Sequence, residues 1–496
     1  MSEDVRTIQR DFQTPFIKLV PSLQPFEYTG DCSRVEGLEK PLGDVSFTDC
    51  MDSKSAGGFR EDSTIRARPG NVGTSLVMKK SVAQLISAEE WEECVWHLDI
   101  RTQFEPPRSE PLNWVHIDRV CNARFTGYTT DGETTFTRDE SGEVLVTMPL
   151  AAPPLHLYHI RLLETALVDS NKAGDITVIA KAADAVCPST ETGPAVGCVL
   201  VAGTAAIAGN PYFGKSTDGG ATWTWTQFDG ANDTPTWTGA ITGIDAQGDL
   251  IIAVSATDTA HAVSQDGGTT WSEIVLADYA ANAPQSVVIA TPTAIWIVGA
   301  NGYIWKSTNS GLGATTANGG DAGVVTASNL VRIKALHDRF AIAVGASNAI
   351  VMTQNGGLTW SLVTGPAAQA AIQVNSLAIR DQYMWLLVYE DGEGWWTDDQ
   401  GASWDEDDQL SGLSLTALND IIVCVCDRWL LVGEDASGLA YMAQNVHGAP
   451  DKWQRITVSS DIQELFQVAC CDINAFVAVG EVTYVGAEGA IVRAVG

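Results

Sequence analysis

No apolar run in this chain reaches the roughly 18 residues that a helix needs to cross a bilayer. The opening Met1-Ser2-Glu3-Asp4 has neither a basic flank nor an apolar stretch, so it does not read as a signal peptide. Basic side chains are scarce, with 29 Lys and Arg against 61 Asp and Glu and a net charge of −32. Residues 1–170 hold 17 basic and 27 acidic groups, and residues 171–496 hold 12 and 34. Such a surface repels phosphate backbones and anionic lipids, which makes specific nucleic-acid binding a poor reading and keeps the chain soluble. The ten cysteines lack metal-ligand spacing, as do His97, His116, His156 and His159, and no metal or cofactor is expected. Cys424, Cys426, Cys470 and Cys471 sit in apolar runs and read as buried thiols. Cys187 and Cys198 bracket a Pro/Gly loop and form the one pair read as able to close a disulfide.

What the chain has is a repeat. Ser216-Thr217-Asp218-Gly219-Gly220-Ala221-Thr222-Trp223 is echoed by Ser264-Gln265-Asp266-Gly267-Gly268-Thr269-Thr270-Trp271. The frame returns with Thr353, Asn355, Gly357 and Trp360, and again with Thr397, Asp399, Gly401 and Trp404. Ser307-Thr308-Asn309-Ser310-Gly311 and Ala443-Gln444-Asn445 with Trp453 are degraded copies. Starts at 216, 264, 307, 353, 397 and 443 lie 43–48 residues apart, a period that four short strands fill in a propeller blade. One period shows the plan: 241–244, a turn, the apolar run 250–254, a third strand near 261–264, the cluster, and a fourth strand over 270–275. The almost wholly apolar second strand implies cover on both faces. Asp218 and Asp266 can accept N–H bonds within their own turns, the paired glycines supply positive φ, and the Trp packs between blades.

These clusters resemble the Asp-box (BNR) repeats found in sialidases, sortilin-type receptors and photosystem assembly factors. The resemblance implies that each cluster is the hairpin turn between the third and fourth strands, with a structural role for Ser216, Asp218, Gly220, Trp223, Ser264, Asp266, Gly268, Trp271 and their later equivalents. Six periods carry a cluster, and three more apolar runs follow at 466–471, 476–479 and 489–494. An early strand at 175–180 is expected to pair with those three and remove the sheet edge, giving seven blades, or six on the alternative count.

The first part reads differently. Residues 1–40 suggest an extended arm, 41–168 a mainly β, β-sandwich or α+β domain, 169–175 a linker and 176–496 the propeller. Strands are expected at 41–47, 64–68, 96–101, 113–128 and 141–150, with a short helix over 75–84. This order, with Gly43-Asp44, Asn113-Trp114, Phe125-Thr126-Gly127-Tyr128 and Glu143-Val144, resembles tail-tube (major tail) proteins of long-tailed bacteriophages. The resemblance implies hexameric rings stacked into a tube. It further implies that DNA passes through the lumen without specific binding, that other tail proteins are neighbours, and that the protein resides in the virion. The propeller would sit outside the tube and bind host-surface glycans weakly, with avidity from many copies.

Catalysis finds little support. Arg332, Arg339, Arg380, Arg428, Arg455 and Arg493 are the candidates for a sialidase-like carboxylate site, and the last turn-borne three of the first four read as solvated. The Arg-Ile-Pro element that accompanies such sites is absent. Asp405-Glu406-Asp407-Asp408 reads as a solvated turn or a weak cation site. The sequence therefore points to a non-enzymatic structural virion protein. Its rivals are an Asp-box glycan hydrolase with an accessory domain and a monomeric protein-binding or assembly factor.

Overall fold

The computed structural model describes residues 163–495 except 169, 171–174, 184–197, 206–208, 232, 259, 276–278, 313–325, 425–427, 446–452, 473 and 483–488, and between Phe16 and Ile160 the backbone of eight strands. These are β1 (Phe16–Pro21), β2 (Tyr28–Glu36), β3 (Val72–Lys79), β4 (Trp96–Thr102), β5 (His116–Phe125), β6 (Thr135–Arg138), β7 (Val144–Ala152) and β8 (Leu157–Ile160). They form one antiparallel sheet in the order β6-β7-β3-β2-β1-β4-β5-β8, and a further β5–β7 pairing bends it back on itself. The strands expected at 96–101, 113–128 and 141–150 fall on β4, β5 and β7. Two expectations are corrected. Much of the 1–40 segment is not an arm, because β1 and β2 lie inside the sheet, β1 between β2 and β4. The helix expected from 75 is strand β3 as far as Lys79, since its register with β7 overrides a local helical spacing. The strands expected at 41–47 and 64–68 lie outside the described residues.

From residue 163 onward the chain builds seven separate antiparallel sheets arranged in sequence, numbered here as blades 1–7. Their first, innermost strands are Ile176–Ala183, Ile241–Gln247, Pro284–Thr291, Leu330–His337, Val374–Ile379, Ala417–Cys424 and Ile462–Asp472. Five blades have four consecutive strands, and blade 3 has three among the described residues. Blade 7 takes its fourth strand from the beginning of the unit. Strand β9 (Glu164–Val168) pairs with Gly489–Val495, from Val168 opposite Ile491 to Glu164 opposite Val495. The closing strand is therefore β9 and not 175–180, which is the innermost strand of blade 1. The segment before 176 is accordingly part of the propeller as far back as Glu164. Strand pairing decides this: 176–183 is buried and already has a partner in 199–204, whereas β9 is a mostly exposed edge that needs one.

The core is not one mass but seven wedges, one at each blade-to-blade interface, including the closing one between blades 7 and 1. Second strands such as Leu250–Ser255, Ala294–Gly299 and Phe340–Gly345 are buried at every residue because each faces two wedges. At roughly 1.5–3 kcal/mol per large apolar side chain, these strands dominate the stability of each blade. Two cystines cross the last wedges. Cys471 bonds Cys198 (Cα–Cα 5.6 Å) and its neighbour Cys470 bonds Cys424 (6.1 Å). Alternation along the strand sends the two adjacent sulfurs to opposite faces, one toward blade 1 and one toward blade 6. Cys424, Cys470 and Cys471 are thus paired rather than free, and Cys198 pairs with Cys471; Cys187 lies outside the described residues.

Candidate functional site

The recurring clusters occupy the turns between third and fourth strands. Ser216 Oγ donates to Asp218 Oδ1 (2.8 Å) and accepts from Gly220 N–H (2.8 Å), while Thr222 donates to Asp218 through both its N–H (2.9 Å) and its hydroxyl (2.6 Å). The second turn repeats this with Ser264, Asp266, Gly268 and Thr270. Thr353, Asn355, Gly357 and Thr359 form the fourth, and Thr397, Asp399, Gly401 and Ser403 the fifth. Even the degraded copy in blade 3 retains the Ser307–Asn309 and Gly311–Ser307 bonds. The Thr270 hydroxyl and N–H hold the Asp266 carboxyl down at about 2. At Asp218 and Asp399 burial pushes upward, but the bonds from Thr222 and Ser403 outweigh it and both stay below the ordinary value.

Each turn also joins blades. Gly220, Gly268, Gly311 and Gly357 all have φ near +80°, and a Cβ there would strike the preceding blade: Val477, Phe213, Ile252 and Trp296 respectively. Trp271, Trp360 and Trp453 are buried in the wedge shared with the preceding blade, and Trp223 and Trp404 pack against theirs. Lys215, Lys306 and Arg493, on third strands, donate to the turn carbonyls of Gly267, Gly356 and Gly219 in the next blade. The turns are thus joints between blades, and their carboxylates are engaged locally.

The second candidate region is the central channel. All seven innermost strands break register at one equivalent place, between Ile176/Val178, Ile241/Gly243, Pro284/Ser286, Leu330/Arg332, Val374/Ser376, Leu418/Asp420 and Leu465/Gln467. A bulge re-aims the side chains around it. Four bulged residues, Thr177, Thr242, Asn375 and Asn419, donate to the carbonyls of Ile241, Pro284, Leu418 and Leu465 on the next blade. At the position after the bulge, Ser286, Asp420 and Gln467 accept N–H bonds from Ile333, Val468 and Ile179 of the next blade. The result is a ring of inter-blade hydrogen bonds around the axis.

The C-terminal two-thirds of the chain is a seven-bladed β-propeller. No family model matches the chain, and no curated protein matches it. Among solved structures it is similar to YCF48 bound to D1 peptide, at 13% identity and a TM-score of 0.49 over 68% of this chain and 99% of that chain. It is also similar to YCF48 from Cyanidioschyzon merolae, at 15% and 0.49 over 66% and 98%, and to the RRP9 WD40 repeats, at 9% and 0.49 over 68% and 99%.

Asp420, 1% exposed, accepts from Ser376 Oγ (2.6 Å) and Val468 N–H (3.2 Å), and Lys334 of blade 4 reaches it at 3.7 Å. Burial pushes Asp245 up to about 6 although Ile289 and Ala246 N–H groups and the Lys334 charge favour its ionised form. The candidate arginines serve separate ends. Arg428 is not a solvated turn residue: it is fully buried, donates to Asn474 and Gln444, and lies over Phe476. Arg455 pairs with Asp435 at 2.9 Å, Arg493 holds Gly219, and Arg380 contacts the Met384 sulfur. Arg339 is exposed. Arg332 stands in the channel strand of blade 4. The acidic run 405–408 is corrected too. Asp405 and Glu406 are exposed, but Asp407 is fully buried, capping Leu410 N–H and accepting from Trp453 Nε1 at 2.8 Å. Nothing in the run of four acidic residues distinguishes Asp407 from its solvated neighbours by sequence.

Proposed function

We propose that the chain is a non-enzymatic structural protein of a virion tail, whose N-terminal part assembles with copies of itself and whose propeller faces outward. The observation that carries the reading is the closure by β9. Only three residues separate β8 from β9, so the N-terminal sheet runs straight into the strand that completes blade 7. The propeller is thereby tied short to the N-terminal part and has blade 7 edged by its own chain, which leaves self-assembly to the N-terminal sheet. The antiparallel sheet that bends back through β5–β7 is compatible with the β-sandwich that the tail-tube resemblance implies.

The recurring turns are read as Asp-box repeats. Their third-to-fourth-strand position and the Ser/Thr-to-Asp/Asn bonding support this, and so does the engagement of each carboxylate by its own turn. Weak glycan contact by the propeller, multiplied over many copies, remains its proposed surface role. Native mass spectrometry with electron microscopy of the purified full chain tests the proposal. Rings or tubes are expected, and no turnover of chromogenic glycosides. A monomer that persists across salt and protein concentration would favour a protein-binding factor instead, and glycoside turnover lost on altering a channel arginine would favour the hydrolase.

A further inference from the structure

Arg332 interrupts the channel ring. At the position after the bulge, Ser286, Asp420 and Gln467 present oxygen acceptors to the next blade, whereas Arg332 presents only donors. Its Nε is shielded from solvent and has no hydrogen-bond partner, and no hydrogen bond or ion pair ties the guanidinium to the described residues. This is a chain with more than twice as many acidic as basic side chains, so a half-buried guanidinium without an ion pair among the described residues is not for want of carboxylates. Lys334, two residues on, shares the strand face of Arg332 and is occupied by Asp420, while Ile333 between them faces the wedge with Trp296. Ser286 of the adjoining blade is 3% exposed and accepts Ile333 N–H at 3.4 Å, which leaves its hydroxyl hydrogen available to donate.

We infer that the channel binds the carboxylate of a small monoanionic acid, held by the Arg332 guanidinium with the Ser286 hydroxyl as second donor. The planar fork of a guanidinium matches a carboxylate's two oxygens. Charge disfavours a dianion: Lys334 already faces Asp420 and also acts on Asp245, so a second negative charge would join two carboxylates near that lysine. The site would be present in a monomer as in a ring, so it does not depend on the virion reading.

The test uses the full-length protein and its thermal midpoint, with sodium acetate, sodium glucuronate or sodium sulfate titrated against sodium chloride at equal ionic strength. Acetate and glucuronate are expected to raise the midpoint saturably, as a ligand that binds only the folded state must, and sulfate to act like chloride. Tighter binding of glucuronate than of acetate assigns the site to an acidic sugar, and the reverse to a free acid. Arg332→Gln should weaken acetate binding by about tenfold or more. In chloride alone the same variant should not lower the midpoint, because it removes an unpaired cation; a merely structural arginine would lower it. Saturation-transfer NMR of acetate on the unaltered protein gives a readout that needs no variant. Equal behaviour of acetate and chloride, an equal shift by sulfate, or full acetate binding by Arg332→Gln each overturns the inference.

Discussion

A turn such as Ser264–Trp271 works because four small polar groups close on one another before any neighbour is involved. Asp266 accepts from Ser264, Thr269 and Thr270, so its carboxylate is stabilised by folding. With a folded value of about 2 against an ordinary 3.8, this group contributes stability above pH 4 that is lost as pH falls from there toward 2. The midpoint of Asp266→Asn should therefore depend less steeply on pH in that window than that of the parent. Asp245 has the opposite sign. Its folded value of about 6 exceeds the ordinary 3.8, so its contribution is full below pH 4 and declines as pH rises through 6. Asp245→Asn should flatten the stability profile between pH 4 and 6, read by denaturant melts at half-unit steps. Gly268 makes a third case. Its φ is +88° and an added Cβ would sit 2.5 Å from Phe213, so Gly268→Ala should cost about 1–3 kcal/mol. Gly248, at φ +62° with open space around it, should lose less on the same change.

At the scale of the element, the bulged innermost strand is the device that turns seven sheets into a ring. Its bulge frees side chains to bond the next blade instead of their own, and Asp420 is the most committed of them. Asp420→Leu would leave the Ser376 hydroxyl and Val468 N–H without their acceptor, a cost of about 1–3 kcal/mol for each buried donor. Lys334 is 30% exposed and its pair is partly screened, so Lys334→Met should cost less than Asp420→Leu. Urea melts of the two variants would show the order, and a larger loss for Lys334→Met would contradict the hydrogen-bond account.

For the whole molecule the question is how a ring of similar wedges stays shut. Three ties meet on blade 7: the backbone ladder to β9, the Cys198–Cys471 cystine to blade 1 and the Cys424–Cys470 cystine to blade 6. β9 is mostly exposed, so its hold is chiefly main-chain bonding, helped by Thr165 donating to the Thr457 carbonyl. Ala166→Pro, in the middle of the paired segment, disrupts the ladder and should raise amide exchange in Gly489–Val495 while blades 2–5 keep their protection. Cystine Cys198–Cys471 spans 273 residues of chain, so Cys198→Ser should lower stability under oxidising conditions by roughly 2–5 kcal/mol. The same variant should match the parent once both are reduced.

Repeat period, blade count and turn chemistry were legible because each is local. Ser216, Asp218, Gly220 and Thr222 carry their bonds within seven residues, and the fully apolar second strands announce two-sided burial without reference to a partner. What needed the tertiary structure is whatever depends on the far end of the chain. Which strand closes blade 7 could not be read from pattern: 175–180 has the apolar strand pattern, and only the ring geometry brings Glu164 opposite Val495. Cys198 and Cys471 are separated by 273 residues, and the burial of Arg428 and Asp407 depends on residues of the next blade along the chain, Asn474 and Phe476 for one and Trp453 for the other. The channel ring likewise has no sequence signature: Thr177, Ser286, Arg332 and Asp420 are chemically unlike, and they become one set only because a bulge places each beside the next blade. The sequence by itself determined the blade, through short-range hydrogen bonding and two-residue alternation. The closure, the cystines and the channel charge were decided in three dimensions, because contact between distant segments is set by the ring's rotation and not by spacing along the chain.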